Sequence, residues 1–478
     1  GAALATITED GFAKLDRALL NPMSEKGYSA DADRREEQVK QDLAAATLTP
    51  GRRPSVETSM HNVIDYSYVV HLHPTMVNGL MCAQNAESDL LRLFGDEVLY
   101  IPYTDPGYVL FKKVDDEIKK FRARFNKEPQ VIWLQNHGIF VAANEVNEIK
   151  KIYADILAKL ENEIKEPLPT ADRPTCSCTE EVVPALRMML SADGLKTLKV
   201  RKNELIKYYY DSAGHQQEIV KPFTPDAIVY CKSNYLFINS ETPEEQIKEF
   251  EEKYPAFVEQ NGYQPKVILI KGIGLVAVGD NARHCDIILD VYEDAMKTAW
   301  LTRSFGGAHP MTKEQIDFID NWEVENYRRS VAAKASTGRA ENRTIIVTGA
   351  AQGFGEGIAE ILMREGANIV VADLNEEAGQ ATAARFNALG RSNQAIYVKT
   401  NVADIPSLEQ MLHQTVCNFG AVDAYISNAG VLRAGGLEDM TPEDFDFVTK
   451  INYNAYFYGT KVVTRAMRLQ TRYASPEY

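Results

Sequence analysis

A chain of 478 residues has room for about three domains of roughly 150 residues each, and 45% hydrophobic with 25% charged residues is an ordinary globular composition. A net charge of -15 argues against nucleic-acid and anionic-membrane partners, which select a basic footprint. With no apolar run near the roughly 18 residues of a membrane helix, no signal-peptide pattern in GAALATITEDGF and six scattered cysteines, a soluble cytoplasmic protein is expected.

In chain order, RRPSVETSMHNVIDY opens a predicted helix, where Ser55 can cap and Glu57 in the first turn suits the helix dipole. His61 follows one turn later, placed either to orient Glu57 or to pack. SYVVHLH is a predicted strand holding His71 and His73, two of only eight histidines. Side chains at i and i+2 of a strand point the same way. Two imidazoles therefore face one point in space, as a metal ion requires.

PTMVNGLMCAQN reads as a helix, and QVIWLQNHGIFVAAN as two short strands with His137 at their turn. EVNEIKKIYADILAKLENEI has helical period, with Ile149, Ile152, Tyr153, Ile156 and Leu160 on one face. CSC at 176–178 is expected to be two loop thiols rather than a metal-binding pair. Taken singly, Glu57 is explained as well by capping, and His137 by a structural turn. Taken together, three neutral imidazoles and an open position form the donor set of a catalytic zinc site, since structural sites close with four protein ligands.

An internal repeat follows. Residues 131–157 overlay on 267–293 without a gap, each reading strand, glycine turn, strand, polar break, helix. His137 falls opposite Ile273, and HLHP has a weaker counterpart near AIVYCKS, again without histidine. The second copy is expected to keep the scaffold and lack the chemistry.

P-S-x-E, then H-x-H-P 14 residues after the glutamate, then N-H-G 64 residues beyond His73, resembles the class II aldolase/adducin family. The resemblance is closer still to bifunctional rhamnulose-1-phosphate aldolase/short-chain dehydrogenase proteins. It implies zinc, or another divalent metal, on His71, His73 and His137, proton exchange by Glu57, and a phosphate contact at Ser55. YIPYTDPGYVL is similar to the family's segment between the histidine sites, whereas its Gly-Asn-x-Ser phosphate loop is absent from residues 1–54. The implied reaction is cleavage of a ketose 1-phosphate, L-rhamnulose 1-phosphate foremost, to dihydroxyacetone phosphate and L-lactaldehyde. Another sugar phosphate, with a sugar-alcohol dehydrogenase, is the runner-up; a non-catalytic adducin-like scaffold is the third reading. Homo-oligomers with shared sites are implied too, unless the repeat at 180–330 replaces the neighbouring subunit.

Past a small-residue stretch, VAAKASTGRAEN (331–342), expected to be a linker, RTIIVTGAAQGFGEGIAEILMREGANIVVADLNEE reads strand, glycine turn, helix, strand. Gly349, Gly353 and Gly355 allow the tight turn and close approach that set a pyrophosphate on a helix N-terminus. Asp373, 24 residues after Gly349, suits ribose hydroxyls and repels a 2′-phosphate, favouring NAD over NADP.

SNAG and TNVAD extend a resemblance to short-chain dehydrogenases, implying that Asn401, Asn428, Ala429 and Gly430 lie beside the cofactor. Asn452 in VTKINYNAYF matches the family's proton-relay asparagine; taken alone it reads as a solvated helix residue. No Tyr-x-x-x-Lys pair occurs at the family's place before Tyr478, so a truncated domain is expected, with dehydrogenase activity, plausibly on lactaldehyde, belonging to a longer chain.

The expected architecture is α/β. A class II aldolase-like domain spans 1–330, with a metal-bearing half 1–175 and a degenerate half 176–330. A Rossmann-type doubly wound parallel sheet, incomplete at its C-terminus, spans 343–478.

Overall fold

The computed structural model describes residues 7–176, 178–321 and 338–475. The chain forms two compact units. One comprises 1–168 with 223–225 and 297–318; the other comprises 169–222, 226–296 and 319–478.

In the first unit, β1 (Tyr68–Leu72), β2 (Leu99–Ile101), β3 (Val131–Leu134) and β4 (Gly138–Ala143) form a sheet of order β1-β4-β3-β2. β4 runs antiparallel to both neighbours, and β2 pairs with β3 in parallel. GIFVAA is apolar throughout because both faces of β4 are covered. Ile139, Val141 and Ala143 enter a core with Trp133, Leu80 and the helix Val146–Glu161. Phe140 and Ala142 enter another, with Met60, Phe111 and Val114. With both faces apolar, hydrophobicity alone does not fix strand register; the β3–β4 turn must. Asn136 sits there at φ 53, in the left-handed region.

The second unit contains a second sheet of the same order and sense: β5 (Thr197–Arg201), β6 (Leu236–Ile238), β7 (Val267–Ile270) and β8 (Gly274–Gly279), arranged β5-β8-β7-β6. The structural counterpart of HLHP is therefore the end of β5, and the match to AIVYCKS fails because Pro225–Cys231 is a helix. Cys176 and Cys178, expected as thiols, are joined in a disulfide, their Cα atoms 5.2 Å apart and so within bridging range.

The third sheet, also in the second unit, is wholly parallel, with order β11-β10-β9-β12: β9 (Thr344–Thr348), β10 (Asn368–Asp373), β11 (Ala395–Lys399) and β12 (Ala424–Ile426). Every residue of β9 is buried, as a parallel strand flanked by helices requires. The chain reverses direction of winding between β9 and β12, and such a switch point opens a crevice at the strands' carboxyl ends. Of the expected linker, 331–337 lie outside the described residues. Residues 338–342 pack closely: the Asn342 amide donates to Leu195 O and Asp280 O. The architecture is α/β.

Candidate active sites

The first site grows from the β1–β4 register. His71 stands opposite Phe140 and its ring stacks on it, centroids 4.1 Å apart. Its Nδ1 lies 3.0 Å from Ile139 O; a carbonyl only accepts, so Nδ1 carries the proton and Nε2 keeps its lone pair. Just beyond β1, His73 brings its Nε2 to 3.0 Å from that of His71, and His137 from the β3–β4 turn brings its own to 3.3 Å.

Glu57 is the N-cap residue of the helix Thr58–Val63, rather than a residue inside its first turn as expected. Ser55 Oγ accepts from Glu57 N–H at 3.2 Å and so braces the turn ahead of that helix rather than capping it. Glu57 Oε1 lies 3.3 Å from both His71 Nε2 and His137 Nε2. The ligand atoms of Glu57, His71, His73 and His137 all fall within 4.8 Å of one another.

This arrangement fits a metal. Tetrahedral bonds of about 2.0–2.1 Å to nitrogen set the donor atoms roughly 3.3 Å apart, close to the spacings found. Burial alone would raise the Glu57 carboxyl, but the His137 and His71 imidazoles beside it draw it well below the usual carboxylate range. Burial holds the His137 imidazole below its ordinary value. An ionised carboxylate beside a neutral imidazole is the protonation state that metal ligation needs. His61 packs edge-on against Phe140, 5.2 Å between centroids, and Glu57 is near enough to oppose the burial that lowers its pKa.

Two further residues shape the site. A Cβ on Gly138 would meet His73 Cδ2 at 2.5 Å and Leu72 O at 2.6 Å, so only glycine lets the His73 ring lie against the turn. Asn136, buried, donates from its amide to Phe223 O (3.0 Å) and His309 O (2.8 Å), pinning the turn that presents His137.

The second site lies at the β9/β12 switch. Gly349 and Gly353 have φ of 67 and 64, and a Cβ on Gly355 would strike Gly349 O at 2.2 Å. The glycine turn leads into the helix Gly353–Arg364, whose N-terminal N–H groups suit an anion. Asn428 donates its amide to Thr348 O and Gly349 O, and Ala429 N–H donates to Thr348 Oγ1. Asp373 Oδ2 accepts from Ala351 N–H of the glycine turn at 3.0 Å, and its Oδ1 from Asn375 N–H at 2.9 Å.

Asn452 lies in the π-helical turn Lys450–Asn454, where its amide both accepts from Val431 N–H and donates to Val431 O, beside Gly430. Asn401 is spent differently: its side chain accepts from Ala403 N–H and braces the turn after β11.

Comparison with known families gives three matches along the chain. The class II aldolase and adducin N-terminal domain matches residues 12–157, the second domain of class II aldolases 177–328, and the short chain dehydrogenase family 343–474. The chain carries class II aldolase/adducin domains and a short-chain dehydrogenase domain. Together they make the domain set of a bifunctional enzyme.

Among relatives, it is 22% identical to the uncharacterized oxidoreductase YuxG of Bacillus subtilis, over 99% of this chain and 72% of that one. It is 35% identical to the oxidoreductase UcpA of Salmonella typhimurium, over 27% of this chain and 48% of the relative. A short chain dehydrogenase from Burkholderia cenocepacia, solved in complex with NADP, shares 31% identity over 27% of this chain and 52% of its own, with a TM-score of 0.26. Apart from the Bacillus protein, the chain spans about half the length of these relatives.

Within the second aldolase domain the register identifies what stands at the positions of the three histidines. Gly274 repeats the role of Gly138: its Cβ would strike Arg201 O at 2.4 Å and Lys202 Cβ at 3.3 Å. Val200, Lys202 and Ile273 thus stand where the N-terminal domain has His71, His73 and His137. Lys202 Nζ donates to Gly272 O at 2.6 Å.

Proposed function

We propose that the Glu57–His71–His73–His137 cluster is a metal-dependent retro-aldol site for a ketose 1-phosphate, L-rhamnulose 1-phosphate foremost. The observation that carries this reading is the convergence of three imidazole Nε2 atoms and one carboxylate on a single point. Zinc is the ion proposed, held by the three histidines; when bound it supplies Lewis-acid polarisation of substrate oxygens.

The remaining work falls to the chain. As the C3–C4 bond breaks, the ionised Glu57 takes the proton of the C4 hydroxyl, which becomes the aldehyde, and then passes that proton to C3 of the dihydroxyacetone phosphate half. Such a positioned carboxylate contributes roughly 10²–10⁴-fold. Ser55, two residues before Glu57, is the proposed phosphate contact.

For the dehydrogenase domain we propose NAD as cofactor and the released L-lactaldehyde as substrate. Asp373 supports NAD, since its carboxylate at the glycine turn would repel a 2′-phosphate. Asn452, tied at both ends to Val431, is proposed as a positioning residue for the proton relay. The protein is proposed to act as a cytoplasmic homo-oligomer, as the family resemblance implies.

The test is dihydroxyacetone phosphate release from L-rhamnulose 1-phosphate, with and without chelator, by the wild-type, His73→Ala and Glu57→Gln proteins. Release should vanish with chelator and with His73→Ala, and fall about 10²–10⁴-fold in Glu57→Gln with metal retained. Release from another ketose 1-phosphate alone would reassign the substrate. A metal-free protein inactive on all of them would leave a scaffold.

A further inference from the structure

The second aldolase domain keeps the scaffold of the first without its ligands, and among the described residues the only metal-ligating cluster is that of the first. What it does instead is visible within the second unit. Its helix Thr179–Leu190 and strand β5 share one continuous apolar core with the dehydrogenase helices Ile405–Phe419 and Ala455–Tyr473. Val182, Leu186 and Leu198 pack there with Leu412, Val416 and Val462. The approach is close enough that a Cβ on Gly420 would lie 2.7 Å from Leu198 Cβ.

Polar groups are matched across the same joint. Arg187 and Asp423, side chains 0% and 1% exposed, form a two-pronged pair with both N···O distances 2.9 Å. Arg187 also donates to Lys196 O and Asn342 O, and Asp423 Oδ2 accepts from Thr344 N–H. The pair therefore ties the second aldolase domain to the start of β9 and to the residue preceding β12, the two strands that flank the nucleotide crevice. Lys199 adds a second link, donating to Asp286 and to Gln394 of the dehydrogenase. Two charges are this deeply buried at a cost that only mutual, fully hydrogen-bonded pairing offsets. An interface so built is a domain interior, unlike the wet, mobile contacts typical between independent domains.

We infer that the metal-free second aldolase domain is the built-in docking partner of the dehydrogenase domain, and that the two fold as one cooperative unit with the Arg187–Asp423 pair at its centre. This goes beyond the proposed chemistry and holds whatever substrates the two sites take.

The test is amide hydrogen exchange on the full chain, comparing wild type with Arg187→Met, Arg187→Met/Asp423→Asn and the milder Leu198→Ala. In Arg187→Met, protection should fall about a hundredfold or more, and together, in β5, β8, β9 and β12. β3 and β4 of the first unit should be unchanged. The double variant, which removes both charges, should recover much of the loss; Leu198→Ala should lower the same four strands in concert, by a smaller factor. Loss confined to β9 and β12 while β5 and β8 stay protected would overturn the inference, as would unchanged exchange in Arg187→Met. If Arg187→Met does not fold, Leu198→Ala decides alone: a concerted loss supports the inference, and loss confined to one domain overturns it.

Discussion

At the scale of single residues, the candidate metal site is set by what lies beside its ligands as much as by the ligands. Gly138 leaves room for the His73 ring, Phe140 supports His71 from below, and Ile139 O selects its tautomer. Gly138→Ala should therefore displace His73 while leaving the strands intact. Expected is a loss of metal affinity of about 10–100-fold, the usual effect of disturbing a ligand's support, with an unchanged far-ultraviolet circular dichroism spectrum. Unaltered affinity in a metal titration would mean that the turn yields without moving the ring. The four residues of the cluster were legible in the sequence because His and Glu advertise their chemistry and His71 and His73 sit at strand spacing. Asn136 was not legible: a turn asparagine is ordinary, and its role appears only where Phe223 and His309, far along the chain, return to accept its hydrogen bonds.

At the scale of elements, the strands with clear pattern and glycine punctuation were read from sequence, and the short apolar runs were not. AIVYCKS has five apolar residues that suit strand or helix equally; Pro225 and Asp226 at its head are the helix-start signals that decide it. The β10 terminus makes a definite prediction. Asp373→Ser removes the charge that would oppose a 2′-phosphate, so the proposed preference for NAD over NADP should narrow by roughly tenfold or more. Paired binding titrations of the full chain with the two nucleotides measure this; an unchanged ratio would move the selection to another residue.

The helix pair Thr179–Leu190 and Ile405–Phe419 makes another. His413 is bonded to Cys417 Sγ through Nε2 and to Glu180 Oε1 at 2.8 Å through Nδ1, and these two contacts push its pKa up to about 10. A folded value above the unfolded one of about 6.5 means stabilisation that is full below about pH 6.5 and lost as pH rises through about 10. Denaturant midpoints of the second unit should fall across that window, and the His413→Gln variant should show a flatter profile. Parallel profiles would remove His413 from the linkage.

At the scale of the molecule, the two candidate sites lie in different units: the histidine cluster within residues 1–168, the glycine turn within 319–478. A ligand that binds only the folded state stabilises it by mass action, by about 2.7 kcal/mol at a hundred times its dissociation constant. For a unit of roughly 150–250 residues this moves a melting transition by about 5–10 °C. Chelation should lower one calorimetric transition by about that much and leave the other in place, and NAD should raise the second without touching the first. The second transition has a further property. Because Leu198 and Val278 share a core with Val416 and Val462, the second aldolase domain must melt with the dehydrogenase, so NAD should slow exchange in β5 and β8 although no nucleotide reaches them. A single transition moved by both ligands would show that the two units unfold together. Two transitions, with β5 and β8 following the chelator, would return the second aldolase domain to the first.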